Sequence, residues 1–214
     1  MTIDRHRFPV FALLILLLIL AAPAAWAADD EEEEKPPLHS GALKGLAMRG
    51  IGPAFMSGRI ADIAVHPTDP GTWYVAVGSG GIWKTVNSGT TWQPIFEDQG
   101  SYSVGCVTID PHDPATIWVG SGEKVSGRHV GYGDGVYRSR DGGQTWENLG
   151  LTESEHIGRI VVHPDDPSTV YVAAQGPLWS AGGERGVYLT TDGGASWEKV
   201  LGAGEYTGAN EVLM

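Results

Sequence analysis

The residues best suited to chemistry in this sequence lie in one glycine-rich stretch, 121–134. This stretch contains two carboxylic acids, Glu123 and Asp134. A pair of carboxylates about 5–10 Å apart can serve as acid and base in glycoside hydrolysis. The same side chains could instead cap turns of their own loop by accepting hydrogen bonds from backbone N–H groups. The sequence alone leaves both roles open.

Several other side chains in and around this stretch could bind a ligand. Tyr132 and Trp179 could stack on a sugar or a peptide, and two arginines begin strands that we expect to lie near a central channel. The candidate ligand-binding residues are Arg59, Arg128, His129, Tyr132, His156, Arg159, Trp179, Glu184 and Arg185.

Other chemistries have no pattern in this chain. The seven histidines are scattered without metal-ligand spacing, and there is no nucleophile elbow, P-loop or dinucleotide-binding fingerprint. We therefore expect neither a metal nor a cofactor. The only cysteine, Cys106, excludes an intrachain disulfide and lies in an apolar strand pattern. We expect it to be a small buried packing residue rather than a reactive thiol.

An octapeptide that occurs three times, at 85–92, 139–146 and 190–197, indicates the elements that must position these side chains. Its closing tryptophans lie 54 and 51 residues apart, and a fixed period near 50 indicates a repeat architecture. Its Asp or Asn should accept hydrogen bonds within the turn, its glycines should adopt positive φ, and its Trp should pack between neighbouring sheets. These structural residues are Asn87, Trp92, Asp141, Trp146, Asp192 and Trp197.

A second motif, rich in proline and aspartate, repeats out of phase with the octapeptide at 66–70, 110–114 and 163–167. Proline cannot donate to a sheet ladder, so each copy is predicted to be a turn between strands. Each unit then has four short antiparallel strands, which is typical of a propeller blade. The predicted fold is all-β: a partial β-propeller over residues 45–214, with blades at about 57–96, 103–149 and 157–201.

Three blades are fewer than the roughly four to eight of a closed propeller. We therefore expect the chain to be the N-terminal part of a longer protein, with the remaining blades supplied by its C-terminal part. Residues 45–52 are predicted to be the strand that closes the last blade.

The octapeptides resemble the Asp-box, or BNR, repeat of sialidases and sortilin-type propellers. Segments 51–60, 133–143 and 156–160 are similar to large secreted bacterial proteins described as sortilin N-terminal-domain or BNR-repeat glycosyl hydrolase-like. The resemblance covers about residues 45–214 and implies the propeller fold, with little indication of a reaction. A sialidase would need three arginines that hold a carboxylate and a Tyr–Glu nucleophile pair, and at most two of those arginines can be suggested here.

The blade layout assigns the loops to two faces. The proline turns and octapeptide turns should share one face, and the loops between second and third strands should share the other with the blade-to-blade loops. The second set, here the variable-loop face, varies in length, which suits binding. We interpret the chain as a scaffold that binds a peptide, protein or glycan there. The alternative is a glycoside hydrolase with its acid and base at the mouth of the channel.

The N-terminal residues predict export. A basic start, the apolar run 10–22 and the small residues Ala25 and Ala27 predict a signal peptide over 1–27, cleaved after Ala27; an uncleaved anchor is the alternative. Residues 28–44 read as an acidic, proline-containing linker. The net charge of −12 disfavours binding to nucleic acid or anionic lipid. We expect a secreted or periplasmic chain whose mature form has no transmembrane span.

Overall fold

The computed structural model describes residues 59–214 except Ser126 and Arg128. The predicted signal peptide, linker and closing strand 45–52 lie outside the described residues. Within them, three four-stranded antiparallel sheets follow one another along the chain, and each sheet contains four consecutive strands. These sheets, called blades 1 to 3, confirm the predicted class of an all-β propeller with an incomplete ring.

The strands are short, as expected between closely spaced turns. Blade 1 comprises β1 (Ile60–Val65), β2 (Trp73–Val77), β3 (Gly81–Thr85) and β4 (Gln93–Pro94). Blade 2 comprises β5 (Val104–Ile109), β6 (Ile117–Ser121), β7 (Val136–Ser139) and β8 (Glu147–Asn148). Blade 3 comprises β9 (Ile157–His163), β10 (Asp166–Ala174), β11 (Gly186–Thr190) and β12 (Glu198–Leu201).

Two strand boundaries are set by the repeated motifs. The fourth strand of each blade begins one residue after the octapeptide tryptophan, because that tryptophan still belongs to the turn. The third proline turn is also tighter than its motif: Asp166 already pairs with His163 at the start of β10. A short 3₁₀ turn, Thr152–Ser154, precedes blade 3.

The octapeptide turns are closed by their own side chains. Asp141 Oδ1 accepts hydrogen bonds from the backbone N–H groups of Gln144 (2.8 Å) and Thr145 (2.9 Å). The Thr145 hydroxyl donates to Asp141 Oδ2 at 2.6 Å, and these bonds hold the pKa of Asp141 well below its usual range. Gly142 and Gly143 adopt φ of 69° and 93°, a region that glycine enters at little cost.

The same geometry recurs in the other two copies. Asp192 accepts from the Ser196 hydroxyl (2.6 Å) and the Ser196 N–H (2.9 Å), which lowers its pKa. In blade 1, Asn87 Oδ1 accepts from the Thr91 N–H at 2.9 Å. The predicted structural role of these turns therefore has a direct hydrogen-bond basis.

Each octapeptide turn also bonds to the proline turn of its own blade. The backbone N–H of Ser88 donates to the Gly71 carbonyl at 2.9 Å in blade 1. Gly142 donates to Ala115 at 2.8 Å in blade 2. Because these bonds join the two kinds of turn, both lie at the same end of each sheet, as the sequence predicted.

The hydrophobic core consists of two interfaces between consecutive blades. Between blades 1 and 2, Tyr74, Ile82 and Phe96 pack against Val107 and Val119. An equivalent cluster joins Trp118 and Val136 of blade 2 to residues of β9 and β10. The indole N–H of Trp146 reaches back to the Ile95 carbonyl at 2.7 Å, and that of Trp197 reaches the Leu149 carbonyl at 2.8 Å. Both tryptophans therefore pack between neighbouring sheets as predicted.

A cation on the third strand strengthens each interface. Lys84 donates to the Gly142 carbonyl at 2.9 Å and lies 5.3 Å from the centre of the Tyr74 ring. Arg138 donates to the Gly193 carbonyl and lies 5.3 Å from the Trp118 ring centre. Each cation thus links its own blade to the octapeptide turn of the next blade.

Blade 2 packs on blade 1, and blade 3 packs on blade 2, through the same face of the sheet. In blade 1 the equivalent face is not covered by a blade among the described residues. This surface, the leading face, surrounds a cavity of about 390 Å³ and comprises Ile60, Ile63, Trp73, Val75, Val77, Trp83 and Trp92. Among the described residues, Trp92 packs edge-on against Trp73 at 6.4 Å and remains 40% exposed. Its predicted position between two sheets is therefore not seen in the described part of the chain.

Candidate functional site

The variable-loop face is a continuous surface, because its loops bond to one another across blades. It comprises the loops 78–80, 122–135 and 175–185, the blade-to-blade segments 95–103 and 149–156, and the segment 202–214 that follows β12. Backbone bonds connect Gly122 to Ser103 (2.8 Å), Gly133 to Glu155 (2.7 Å) and Gly182 to Glu205 (2.8 Å). A ligand on this face would therefore contact loops of more than one blade.

Glu123 lies beneath this face and is only 2% exposed. The Ser79 hydroxyl donates to its Oε1 at 2.7 Å, and its Oε2 is ion-paired with the Arg59 guanidinium. Gly78 permits this arrangement, since a Cβ there would lie 3.0 Å from the Glu123 carboxyl carbon. Oε1 thus has a hydrogen-bond donor from blade 1 and Oε2 has an ionic partner, although Oε2 accepts no hydrogen bond from the described residues.

Asp134 is also held by neighbouring side chains. The Tyr137 hydroxyl donates to its Oδ2 at 2.6 Å, and Ser121 Oγ lies 3.2 Å from its Oδ1. Burial, assisted by this carboxylate, raises the pKa of Tyr137. Gly100 packs directly on the carboxylate, because a Cβ at this position would come within 2.1 Å of Oδ2. The arrangement resembles a structural loop anchor more than a poised acid or base.

Arg159, in β9, contacts carboxylates on β1 and on the segment that follows β12. Its Nη1 lies 3.6 Å from Asp62 Oδ2 in blade 1, and its Nε lies 3.5 Å from Glu211 Oε1. Asp62 Oδ2 also accepts from the Val107 N–H of blade 2 at 3.3 Å. This guanidinium is therefore shared between protein carboxylates.

His156 is completely buried, and neither ring nitrogen has a hydrogen-bond partner among the described residues. Burial lowers its pKa to about 4. The preceding residue, Glu155, has φ of 54°, which is strained for a residue with a side chain. The ring lies 5.6 Å from that of Tyr132, which is 57% exposed. The imidazole therefore lies below a surface tyrosine rather than at the surface.

Arg185 shapes the loop 175–185 from within. It is 4% exposed, and its guanidinium donates to the carbonyls of Gly182 (2.7 Å), Pro177 (2.7 Å) and Ser180 (2.8 Å). Trp179 lies on the outside of this loop and is 68% exposed. Glu184 Oε2 accepts from the Glu153 N–H at 2.9 Å, which fixes the loop to segment 149–156.

Two candidate ligand-binding residues remain, His129 and Arg128, and the structure adds two exposed tyrosines to the same face. His129 is exposed in loop 122–135, and Arg128 lies outside the described residues. Sequence reasoning missed Tyr102, which is 67% exposed in segment 95–103, and Tyr206, which is 76% exposed in segment 202–214 of the same face. Their position in those segments was the available signal. The face thus presents four exposed aromatic rings, and the buried Arg185 guanidinium beneath it is bonded to carbonyls of its own loop.

Two further observations concern the described residues as a whole. No group of three or more His, Cys, Asp or Glu side chains within 59–214, leaving aside 126 and 128, is arranged to hold a metal ion. In the same part of the chain, no helix is both long and apolar enough to cross a bilayer.

The repeated four-stranded blades and their self-closed turns define a β-propeller with an incomplete ring. A family model described as sortilin, neurotensin receptor 3, matches residues 134–207. The chain is similar to xyloglucanase Xgh74A of Acetivibrio thermocellus, with 26% identity over 71% of this chain and 18% of that protein. It is also similar to the oligoxyloglucan-reducing end-specific xyloglucanase of Emericella nidulans, with 23% identity over 68% of this chain and 24% of that protein.

Among solved structures, an ancestral GH74 enzyme matches with a TM-score of 0.53 and 20% identity. The match covers 67% of this chain and 18% of that structure. This likeness shows the shared propeller fold. The chain spans less than a quarter of the length of the two xyloglucanases, 18% and 24% respectively.

Proposed function

We propose that this chain is a propeller scaffold that binds a peptide, protein or glycan through its variable-loop face. The main support is the distribution of exposed aromatic rings: Tyr102, Tyr132, Trp179 and Tyr206 all lie in the loops of that face. Exposed aromatic side chains held on a rigid framework are typical of binding surfaces, since they supply contact area at low entropic cost.

The charged groups support binding in preference to catalysis. The oxygens of Glu123 and Asp134 contact protein donors, and a general acid or base needs access to the substrate proton that it transfers. Arg59, Arg159 and Arg185 are likewise engaged by protein carboxylates or carbonyls. A sialidase-type grip on an acidic sugar would require guanidinium groups that are not engaged in this way.

Binding can be tested with immobilised chain and three soluble probes: a xyloglucan oligosaccharide, decalysine and decaglutamate. Replacing Tyr132 or Trp179 with Ala should weaken the binding of the tightest-binding probe by about 0.5–1.5 kcal/mol, or roughly two- to tenfold in Kd. Trp92→Ala, on the leading face, is the matched control. If none of the probes responds to the loop variants, the proposed binding face is wrong.

A second candidate is glycoside hydrolysis, favoured by the similarity to two proteins named xyloglucanases. In this case Glu123 and Asp134 would be the acid and base at the channel mouth. Release of reducing sugar from xyloglucan should then fall at least a hundredfold in Glu123→Gln and Asp134→Asn, the usual scale for acid–base catalysis. Glu198→Gln on β12 is the control. Turnover that persists unchanged in both variants would exclude a catalytic role for these two residues.

We also propose that the chain is exported to the periplasm or the medium. The support is the N-terminal pattern of a basic start, an apolar run and Ala25 and Ala27. N-terminal sequencing of the exported protein should begin at Ala28. A start at Met1 or Thr2 would contradict cleavage.

A further inference from the structure

We propose that the blade 3 end of the variable-loop face binds a positively charged segment of a peptide or protein. The proposal rests on the binding function proposed above and names the ligand class for one part of that face. This part, the Trp179 patch, comprises Glu153, Trp179, Glu184, Glu205 and Tyr206. It combines exposed aromatic rings with carboxylates on three neighbouring segments.

The indole of Trp179 is presented by a preorganised loop. The buried Arg185 guanidinium accounts for this, because it binds the carbonyls of Pro177, Ser180 and Gly182 within 2.8 Å. The loop therefore wraps around an internal cation, while Trp179 remains 68% exposed on its outer side. A surface tryptophan held in this way loses little conformational freedom when it binds a partner.

Two hydrogen-bonded contacts bring the other members of the patch to this loop. The Gly182 N–H donates to the Glu205 carbonyl at 2.8 Å, so the adjacent Tyr206, 76% exposed, lies beside the loop. On the other side, the Glu184 N–H donates to the Glu153 carbonyl at 3.2 Å. The three segments thus form one surface.

The charge of this surface selects the ligand class. Glu153 and Glu205 are exposed, and no Lys, Arg or His of the described residues lies within ion-pair distance of their carboxylates. Arg185, the cation of the loop, is directed inward. Aromatic faces attract ammonium and guanidinium groups, and nearby carboxylates add to that attraction. A neutral saccharide would gain stacking and hydrogen bonds to the carboxylates but no attraction between opposite charges, and an acidic ligand would be repelled.

The opposite face provides an internal comparison. Its octapeptide aspartates are also acidic, but Asp141 and Asp192 use their oxygens to close their own turns. Tyr102, Tyr132, Trp179 and Tyr206 all lie outside those turns, and the exposed octapeptide tryptophan, Trp92, packs against Trp73 on the leading face. General acidity would attract a cation to either face, and the aromatic rings localise it to the variable loops.

One nearby cation opposes the proposal: Lys199 lines the same cleft of about 450 Å³ as Glu205.

Fluorescence anisotropy with labelled decalysine and the full chain tests the proposal. Decalysine should bind more tightly than decaglutamate or the xyloglucan oligosaccharide, and its Kd should rise with salt as charges are screened. Trp179→Ala and the double variant Glu153→Gln/Glu205→Gln should each weaken it about three- to tenfold. Lys199→Gln should strengthen it.

Two controls separate this patch from general acidity. Glu97→Gln, on the same face but between blades 1 and 2, and Trp92→Ala should leave the decalysine Kd unchanged. Tighter binding of the oligosaccharide, with loss in Trp179→Ala, would overturn the cationic ligand while retaining the proposed binding function. Decalysine binding that is insensitive to both patch variants would overturn the proposed site. Unchanged melting temperatures of the variants would show that the losses are not due to unfolding.

Discussion

At the scale of single residues, burial decides which groups are chemically available. Cys106 in β5 is fully buried, and desolvation raises the pKa of its thiol to about 12. Asp62 contributes in the same direction. Since the thiolate is the reactive form, a thiol with this pKa should be inert near neutral pH.

We therefore predict that the folded chain does not react with Ellman's reagent at pH 8 over an hour. The same chain in 6 M guanidinium should release one equivalent of thionitrobenzoate. Rapid reaction of the folded chain would contradict the burial of Cys106.

His156 predicts a pH dependence of stability. Its pKa in the folded protein, about 4, lies below the value of about 6.5 for an unfolded chain. The unfolded state therefore binds the proton more tightly. The contribution of neutral His156 to the free energy of unfolding is complete above pH 6.5. It is lost as the pH falls toward 4, and the total loss is at most roughly 3 kcal/mol.

Urea denaturation between pH 4 and 7 measures this effect. His156→Leu, which has no titrating group and no unpartnered ring nitrogen, should be nearly independent of pH in that window, whereas His66→Gln in an exposed turn should behave like the parent. Below pH 4 the octapeptide aspartates should add a further loss, because their native hydrogen bonds lower the pKa of Asp141 and Asp192. A persistent slope in His156→Leu would assign the effect to other groups.

At the scale of elements, the third strand of each blade is the link to its neighbour. Strand register makes Lys84, Arg138 and Leu189 equivalent, since they pair with Tyr74, Trp118 and Tyr171 respectively. The first two donate to the octapeptide turn of the next blade. They differ in one respect: the Tyr74 hydroxyl also approaches the carbonyl that Lys84 binds, at 3.4 Å.

Replacing these side chains with Met should therefore have graded effects. Arg138→Met leaves the Gly193 carbonyl without this donor and should reduce the free energy of unfolding by about 1–3 kcal/mol. Lys84→Met should cost less, about 0.5–1 kcal/mol, because Tyr74 remains near Gly142. Leu189→Met is the control and should be close to neutral. Denaturant unfolding of the three variants provides the measurement, and equal losses for all three would refute the proposed link.

At the scale of the whole molecule, the leading face of blade 1 is an apolar surface with several exposed side chains. By strand register Trp73 corresponds to Ile117 and Val170, since the three pair with Val65, Ile109 and Val162 respectively. Ile117 and Val170 are buried between blades. Ile60 and Ile63 on this face are 58% and 52% exposed. Such a surface is suited to contact with another blade.

We predict that the isolated chain binds the apolar dye ANS and self-associates with increasing concentration. Ile63→Glu should reduce both effects, because it places a charge at the centre of the face. Val200→Glu, at an exposed apolar position on β12, is the control. Dye fluorescence and sedimentation velocity are the measurements. A chain that remains monomeric without dye binding would show that this face is already covered.

The sequence predicted the strand order and the two kinds of turn because their determinants are local. Asp141 and Ser139 bond to groups within four residues of themselves, so the octapeptide carries its own structural information. The state of the candidate site could not be predicted in this way. Glu123 is satisfied by Ser79, 44 residues away, and Arg159 by carboxylates on two other segments. Those contacts depend on how blades pack, which a pattern of residue types does not specify.

The tryptophan bonds between blades also have a consequence for biosynthesis. Trp146 and Trp197 bind carbonyls 51 and 48 residues earlier in the chain, so each interface joins a blade to the one translated immediately before it. The interfaces therefore need no segment that has yet to leave the ribosome. We expect co-translational folding to proceed one blade at a time, with each new tryptophan docking on a sheet that has already formed.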